Sequence, residues 1–257
     1  MPMKPRAFSA FPKEGVQFLR TLKRHNNREW FQEHKTIYEE FVKRPMTELI
    51  EAMAVAFQKF APEMIASPKV SAYRIYRDTR FSRNKSPYKT HAAAVFPRSG
   101  LGKHEGAGFY LHVDPSELLI GGGLYMPMSE ELNAVRQTIA ADSESFLKIV
   151  RNPRFRKLFD NVGGEQLSRV PRGFSPTHPA ADYLRHKQFL VGRTFPVEAA
   201  TSPSFHKVTV ETFKAMVPFV RFLNEPILRA RKLRERQESF MRGDVLPHGA
   251  DRRITSR

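Results

Sequence analysis

Residues Phe109 to Tyr125, which read FYLHVDPSELLIGGGLY, are the stretch that decides the fold. The first six residues alternate between apolar and polar side chains, which is typical of a strand with one buried face. A Pro115-Ser116 turn follows, and the chain then returns through a second apolar run. The stretch therefore predicts two adjacent antiparallel strands, Phe109–Asp114 and Glu117–Tyr125.

Three other segments also have the composition of strands. Val70–Tyr76 supplies β-branched and aromatic residues, Thr90–Phe96 reads THAAAVF, and Phe189–Phe195 reads FLVGRTF. Because the connections in the first half of the chain are short, we expect Val70–Tyr76 and Thr90–Phe96 to join the two central strands in one mainly antiparallel sheet.

Helices are predicted on both sides of this strand-rich region. The first sixty residues carry apolar stripes at helical spacing and predict three helices, the first over Glu14–His25 and the third beginning near Pro45. In the second half, Ser129 and Asn152 precede helical patterns as capping residues. The last helix is expected from about Ser204, with a kink or break near its two prolines, Pro218 and Pro226.

These elements predict an α+β protein, with a central, mainly antiparallel sheet packed by N-terminal and C-terminal helices. Residues 1–230 are expected to form a single domain. Residues 231–257 are interpreted as a basic C-terminal extension, whose end after Gly243 has too few apolar residues to fold.

The charge balance of the chain is strongly basic. Its 257 residues include 43 Lys and Arg against 26 Asp and Glu, a net charge of +17. Nine basic residues and one acid lie between Lys69 and Lys103, and nine basic residues and four acids follow Pro226. Such a balance points to anionic partners, either small molecules or nucleic acid.

The chain contains no cysteine, so disulfides, thiolate catalysis and sulfur-ligated zinc are excluded. The first twelve residues, MPMKPRAFSAFP, lack the apolar core of a signal peptide, and no apolar run is long enough to cross a membrane. The sequence therefore predicts a cytoplasmic protein with no membrane partner.

The basic stretch Val70–His91, VSAYRIYRDTRFSRNKSPYKTH, is the candidate functional site. So many cations in so short a segment repel one another, which an anionic ligand relieves. Arginine binds phosphate or carboxylate through two parallel hydrogen bonds, and lysine binds as a point charge. We expect a phosphorylated small molecule or nucleotide to bind here, with Asp78 orienting one arginine. The predicted anion-binding residues are Arg74, Arg77, Arg80, Lys85 and Lys89.

Two alternatives remain open at this stage. The chain is a nucleic-acid-binding protein if the cations lie along a surface stripe with the basic tail and the interleaved aromatics stack on bases. These aromatics are Tyr73, Tyr76, Phe81 and Tyr88. The stretch is instead a scaffold for protein interactions, with no anion, if its arginines pair with acids of the N-terminal helices. Those acids include Glu29, Glu33, Glu39 and Glu40.

The sequence does not decide whether the protein is an enzyme, and it indicates no cofactor and no oligomeric state. Tyr88, His112 and Asp78 are the candidates for proton transfer. His91, His112 and His178 lack the spacing of a metal motif, so no metal site is predicted. Gly121-Gly122-Gly123 interrupts a strand, and close packing of a helix is the favoured reason.

The run RIYRDTRFSRNKSPYKTH, followed by GFYLHVDP and GGGLYMP, resembles the signature of the family catalogued as domain of unknown function 2461. The resemblance extends to Phe31–Tyr38, Pro171–Pro179 and Pro218–Asn224, and so covers nearly the whole chain up to Arg229. It implies one α+β domain of bacterial and fungal type. It implies no established activity, substrate or catalytic residue.

Overall fold

The stretch from Phe109 to Tyr125 forms the centre of a four-stranded sheet. The computed structural model describes Phe8 and residues 10–241. Every neighbouring pair of strands is antiparallel, and the strand order follows the chain. The strands are β1 (Ala92–Phe96), β2 (Gly108–Val113), β3 (Glu117–Leu124) and β4 (Phe189–Pro196). The predicted α+β class, with its antiparallel sheet, is confirmed.

The strand predicted over Val70–Tyr76 is wrong. Pro68–Ser71 forms a helical turn, α5, because Ser67 caps it by accepting a hydrogen bond from Val70 and Pro68 suits its first position. Beyond this turn, Ala72 and Tyr76 form only isolated bridges, to Ala94 and Tyr88. The local capping signal therefore overrides the strand propensity of the β-branched and aromatic residues.

The N-terminal helices partly follow the predicted pattern. Asn27 caps α2, since its side chain accepts a hydrogen bond from Trp30 N–H. The single second helix expected from the sequence is instead divided, with a break at His34 and a π-helical turn over Glu39–Lys43 that leads into α4. The α-helices of this half are α1 (Lys13–Arg24), α2 (Arg28–Glu33), α3 (Lys35–Tyr38) and α4 (Arg44–Phe57).

As far as Met241, the second half contains four short helices and one long one. The Asn152 side chain accepts hydrogen bonds from Arg154 and Phe155, which confirms the predicted cap. The predicted cap at Ser129 is wrong, because the N-cap is Met128, whose N–H is bound by the Glu131 carboxylate. The helices are α6 (Ser129–Ala141), α7 (Ser143–Val150), α8 (Pro153–Phe159), α9 (Ala181–Leu184) and α10 (Phe205–Met241), and Val197–Ala199 adds one 3₁₀ turn.

The hydrophobic core lies between one face of the sheet and the long helices. Phe96 and Phe109 of the sheet contact Phe57 of α4 and Phe213 of α10, with centroids of Phe109 and Phe213 4.8 Å apart. All four rings are fully buried. The opposite face carries half-exposed residues such as Tyr110, so the alternation in β2 separates core from open face as predicted.

Helix α10 continues through Pro218 and Pro226, so a break at these prolines is wrong. Beyond Pro226 it contacts the domain through two ion pairs, Arg231 with Glu105 and Arg234 with Glu130. The predicted disorder after Gly243 lies outside the described residues. Within residues 10–241, none of the helices combines the length and the apolar character that a membrane crossing requires.

Candidate functional site

The basic stretch folds into a hairpin, which we define as Ile75–Lys89. Its two arms pair through Arg77 N–H to Pro87 O (2.9 Å) and Lys89 N–H to Ile75 O (2.7 Å). The Asn26 side chain fixes the second arm, because it accepts from Tyr88 N–H (3.1 Å) and donates to Tyr88 O (3.0 Å). The hairpin is therefore attached to the helical layer at its base, and residues 78–86 form its tip.

Three of the five predicted anion ligands make their hydrogen bonds within this tip. The Arg80 guanidinium binds both carboxylate oxygens of Asp78, at 3.0 and 2.8 Å, and these hydrogen bonds lower the pKa of Asp78 to about 2. Lys85 donates to Thr79 O at 3.0 Å, and Arg77 lies 3.5 Å from Ser82 Oγ. The tip is thus partly neutralised by its own groups.

The other two predicted ligands, Arg74 and Lys89, lie at the base of the hairpin. There the structure adds a third cation, Lys103, from the connection between β1 and β2. The Nζ atoms of Lys89 and Lys103 lie 4.9 and 4.5 Å from the centroid of the same aromatic ring, that of Tyr73. We define the Tyr73 site as Tyr73, the three cations Arg74, Lys89 and Lys103, and the neighbouring Tyr110.

Both lysines are half-buried and bind only backbone oxygens. Lys89 donates to Arg74 O and Lys103 to Ala72 O, each at 3.1 Å. Burial lowers the pKa of both lysines, and the charges of Arg74 and Lys103 lower that of Lys89 further. Across residues 10–241, no carboxylate forms an ion pair with any of these three cations. Within these residues, their positive charge is therefore uncompensated.

The scaffold alternative requires arginines of the hairpin to pair with acids of the N-terminal helices. Glu39 pairs with Lys43 and Glu40 with Arg44, both within their own helical segment. Glu29 and Glu33 form no ion pair with the hairpin in the part of the chain that the structure describes. The pairing on which this alternative depends is thus missing from residues 10–241.

A second set of polar groups lies on the open face of the sheet beside the Tyr73 site. The Tyr110 ring meets Tyr73 edge-on, with centroids 6.3 Å apart, and burial raises the pKa of Tyr110 to about 12. The Tyr110 hydroxyl lies 3.1 Å from His112 Nδ1, and His112 Nε2 lies 3.4 Å from a carboxylate oxygen of Glu117. The His91 ring lies 5.3 Å from that of His112.

A cleft of about 380 Å³ opens next to these residues, between the N-terminal helices and the segment from Ala72 to Tyr76. Arg74, Tyr73 and His91 line it together with residues from α3, the π-helical turn and α4. A cleft of about 700 Å³ lies elsewhere, between α7, α8 and α10. There Glu211 is the one acid among the described lining residues and pairs with both Arg154 and Lys214.

The three predicted proton-transfer residues lie in different environments. Tyr88 is only 2% exposed and stacks on Phe31 with ring centroids 4.1 Å apart. Asp78 is bound to Arg80 at the hairpin tip, so His112 alone lies beside the Tyr73 site. Among the described residues, no group of three His, Asp or Glu side chains is arranged to hold a metal ion.

Lys103 and Tyr110 were not predicted as site residues. Lys103 was visible only as part of the basic run from Lys69, because its connection has no recognisable motif. This connection ends at Ala107, and the buried side chain of Asn224 in α10 accepts from Ala107 N–H and donates to Ala107 O, both at 2.8 Å. Tyr110 appeared only as the neighbour of His112 in the alternating pattern of β2.

Comparisons with known proteins identify the family of the chain. The family described as conserved hypothetical protein (DUF2461) matches residues 14–222, which include the whole sheet and the Tyr73 site. Neither the curated proteins nor the solved structures contain a match. The match covers most of the chain and agrees with the resemblance carried by the basic stretch. The chain belongs to the DUF2461 family of conserved hypothetical proteins.

Proposed function

We propose that the protein binds a phosphorylated small molecule or nucleotide at the Tyr73 site. The observation that carries this proposal is the pair of half-buried ammonium groups, Lys89 and Lys103, on one aromatic ring with no carboxylate partner among the described residues. Like charges at such a site repel each other, and a bound phosphate relieves this repulsion. Arg74 supplies a third cation, and its planar guanidinium suits two phosphate oxygens.

The cation–π contacts alone do not account for this arrangement. Such a contact contributes about 0.5–1 kcal/mol at a partly exposed position, and two cations must share one ring here. An anion adds charge-assisted hydrogen bonds to each ammonium group and favours its protonated form. The adjoining cleft, with aromatic residues Phe31, Tyr38 and Tyr76 on its wall, has the size to hold the rest of a small ligand.

The test is thermal and chemical denaturation of the full chain with inorganic phosphate, at constant ionic strength set by sodium chloride. A ligand that binds only the native state stabilises it by about 2.7 kcal/mol at a concentration one hundred times its Kd. We expect the Lys89→Met, Lys103→Met double variant to lose this response. Without phosphate the double variant should be no less stable than the wild type, since the substitutions remove unpaired charge.

Lys85→Met is the matched control, because Lys85 is an exposed lysine of the same hairpin that binds only within the tip. This control should respond to phosphate as the wild type does. A wild type that phosphate does not stabilise would contradict the proposal. An equal loss of response in Lys85→Met would also contradict it, since the effect would then depend on net charge rather than on the Tyr73 site.

The hairpin tip favours a second candidate function, binding of single-stranded nucleic acid. Phe81 is 95% exposed at the tip, with the Arg80 guanidinium 5.8 Å from its ring, and Tyr76 is half-exposed on the first arm. An exposed ring among cations can stack on a base. Tyr88 is buried and Tyr73 is covered by two lysines, so only Phe81 and Tyr76 of the four aromatics remain available.

Fluorescence anisotropy with a labelled oligothymidine tests this second candidate. Replacing Phe81 with serine should weaken binding roughly tenfold, because base–aromatic stacking contributes about 1–3 kcal/mol per base. The Lys89→Met, Lys103→Met double variant should retain most of the affinity, which separates this function from phosphate binding. Wild-type affinity in Phe81→Ser would rule out stacking at the tip.

A further inference from the structure

Glu117, His112 and Tyr110 form a linear series of polar groups on the open face of the sheet. The Glu117 carboxylate faces His112 Nε2 at 3.4 Å, and His112 Nδ1 faces the Tyr110 hydroxyl at 3.1 Å. When Nε2 carries the proton toward Glu117, Nδ1 is free to accept the proton of the hydroxyl. A hydroxyl, a histidine base and a carboxylate that orients the base constitute the arrangement of an activated nucleophile.

This series ends next to the three unpaired cations. Tyr110 contacts the ring of Tyr73, on which Lys89 and Lys103 lie, and the His91 ring contacts that of His112. Burial lowers the pKa of His91 and the charge of Lys89 lowers it further, so Lys89 lies near the histidine whose ring contacts that of His112. A phosphate held by the lysines therefore lies beside Tyr73, the ring that Tyr110 contacts.

Resting on the proposed function, we infer that Tyr110 is a nucleophile toward the bound phosphoryl group, with His112 as its general base. The Tyr110 oxygen forms a bond to phosphorus as its proton moves to His112 Nδ1. The bond from phosphorus to the leaving oxygen breaks, and the leaving group departs with the bonding electron pair and is protonated by water. Glu117 stabilises the resulting imidazolium. The substrate class is thus a phosphate ester or phosphoanhydride.

A base is required at this hydroxyl. Burial raises the pKa of Tyr110 to about 12, with contributions from Tyr73 and Tyr125, so a free tyrosinate is disfavoured at neutral pH. Transfer of the proton to His112 during bond formation avoids this intermediate. If the Tyr110–His112 hydrogen bond were purely structural, His112 would not increase the reactivity of the Tyr110 hydroxyl. The reactivity of Tyr110 with and without His112 therefore tests the assignment.

Benzenesulfonyl fluoride tests the nucleophile without knowledge of the natural substrate. The tyrosine oxygen bonds to sulfur, fluoride leaves, and the hydroxyl proton is taken by the base. In the full chain, we expect peptide mass spectrometry to find Tyr110 labelled faster than Tyr125, although Tyr125 is 64% exposed. His112→Gln should slow labelling of Tyr110 by about 100-fold, the size of a general-base contribution, with a smaller loss in Glu117→Gln.

The anionic reagent 4-(fluorosulfonyl)benzoate tests whether Lys89 and Lys103 attract an anion to Tyr110. In the wild type it should label Tyr110 faster than the neutral reagent, and inorganic phosphate should compete. The Lys89→Met, Lys103→Met variant should remove this advantage of the anionic reagent over the neutral one. Preference for Tyr110 that depends on His112, without any advantage of the anionic reagent, would support the nucleophile and contradict the proposed anion site.

The converse result would support the anion site and contradict the assignment of Tyr110 as nucleophile. If phosphate stabilises the protein but Tyr110 reacts no faster than Tyr125, the nucleophile assignment is wrong and the anion site stands. Labelling of Tyr110 at an unchanged rate in His112→Gln would also overturn the assignment. Far-ultraviolet circular dichroism and melting temperatures of His112→Gln and Glu117→Gln distinguish a slower reaction from unfolding of the variant.

Discussion

Replacement of Asn224 by leucine is expected to destabilise the protein by about 4 kcal/mol. The Asn224 side chain is 2% exposed and forms hydrogen bonds with both the N–H and the carbonyl of Ala107. Leucine has a similar volume but no polar atom, so both backbone groups lose this partner in a buried position. Each group left without a partner costs about 1–3 kcal/mol. Equilibrium denaturation in urea measures the change.

The variant should also lose part of its response to phosphate, because Ala107 ends the connection that carries Lys103. Asn133→Leu is the matched control, since Asn133 is exposed on α6 and its replacement should change stability by less than about 0.5 kcal/mol. A loss below about 1 kcal/mol in Asn224→Leu would mean that water or a shifted backbone replaces both hydrogen bonds. In that case the side chain does not fix the position of Lys103.

Asn26 and Asn224 have the same role in the site. Each side chain binds the N–H and the carbonyl of one residue in a distant segment, Tyr88 beside Lys89 and Ala107 after Lys103. The two lysines are thus held near one ring by groups from the N-terminal and C-terminal helical layers. This explains how two like charges remain together although no carboxylate in the described part of the chain pairs with them, at the expense of stability in the free protein.

The strands could be predicted from sequence because their signal is local. The two-residue period of β2 separates buried Phe109 from half-exposed Tyr110, and the Pro115-Ser116 turn leaves room only for an antiparallel neighbour. Val70–Tyr76 was predicted wrongly because its composition and its capping residues disagree. Ser67 and Pro68 lie just before the segment and favour a helical turn. Their effect outweighs the strand propensity of the residues that follow.

The composition of the site could be predicted only in part, for reasons of distance along the chain. The sequence indicates an excess of cations near Asp78, but not which of them Asp78 neutralises; in the structure it is Arg80, two residues away. Lys103 lies thirty residues beyond Tyr73, and the connection that carries it is bound at Ala107 by Asn224, more than one hundred residues later. Neither hydrophobic periodicity nor a local motif indicates hydrogen bonds between residues so far apart in the sequence.

The three consecutive glycines of β3 have different physical reasons. At Gly122 a methyl group would lie 3.1 Å from Met216 Sδ of α10, so the predicted close helix contact is confirmed at this residue. At Gly121 a methyl group would point to the open face and meet only backbone atoms of β4. Gly123 has a positive φ of 126°, a conformation that favours glycine, and pairs with Leu190.

Gly123→Ala is expected to destabilise the protein by about 4 kcal/mol, since strain at an unfavourable φ and overpacking each cost about 1–3 kcal/mol. A methyl group here would overlap the carbonyl oxygen of Phe189, which cannot move without disturbing β4. Gly100→Ala is the control, because Gly100 also has a positive φ, 83°, but no atom within 4 Å of the added methyl group. It should lose only about 1 kcal/mol in urea denaturation. Equal losses in the two variants would mean that backbone conformation alone, rather than the contact with Phe189, requires glycine at position 123.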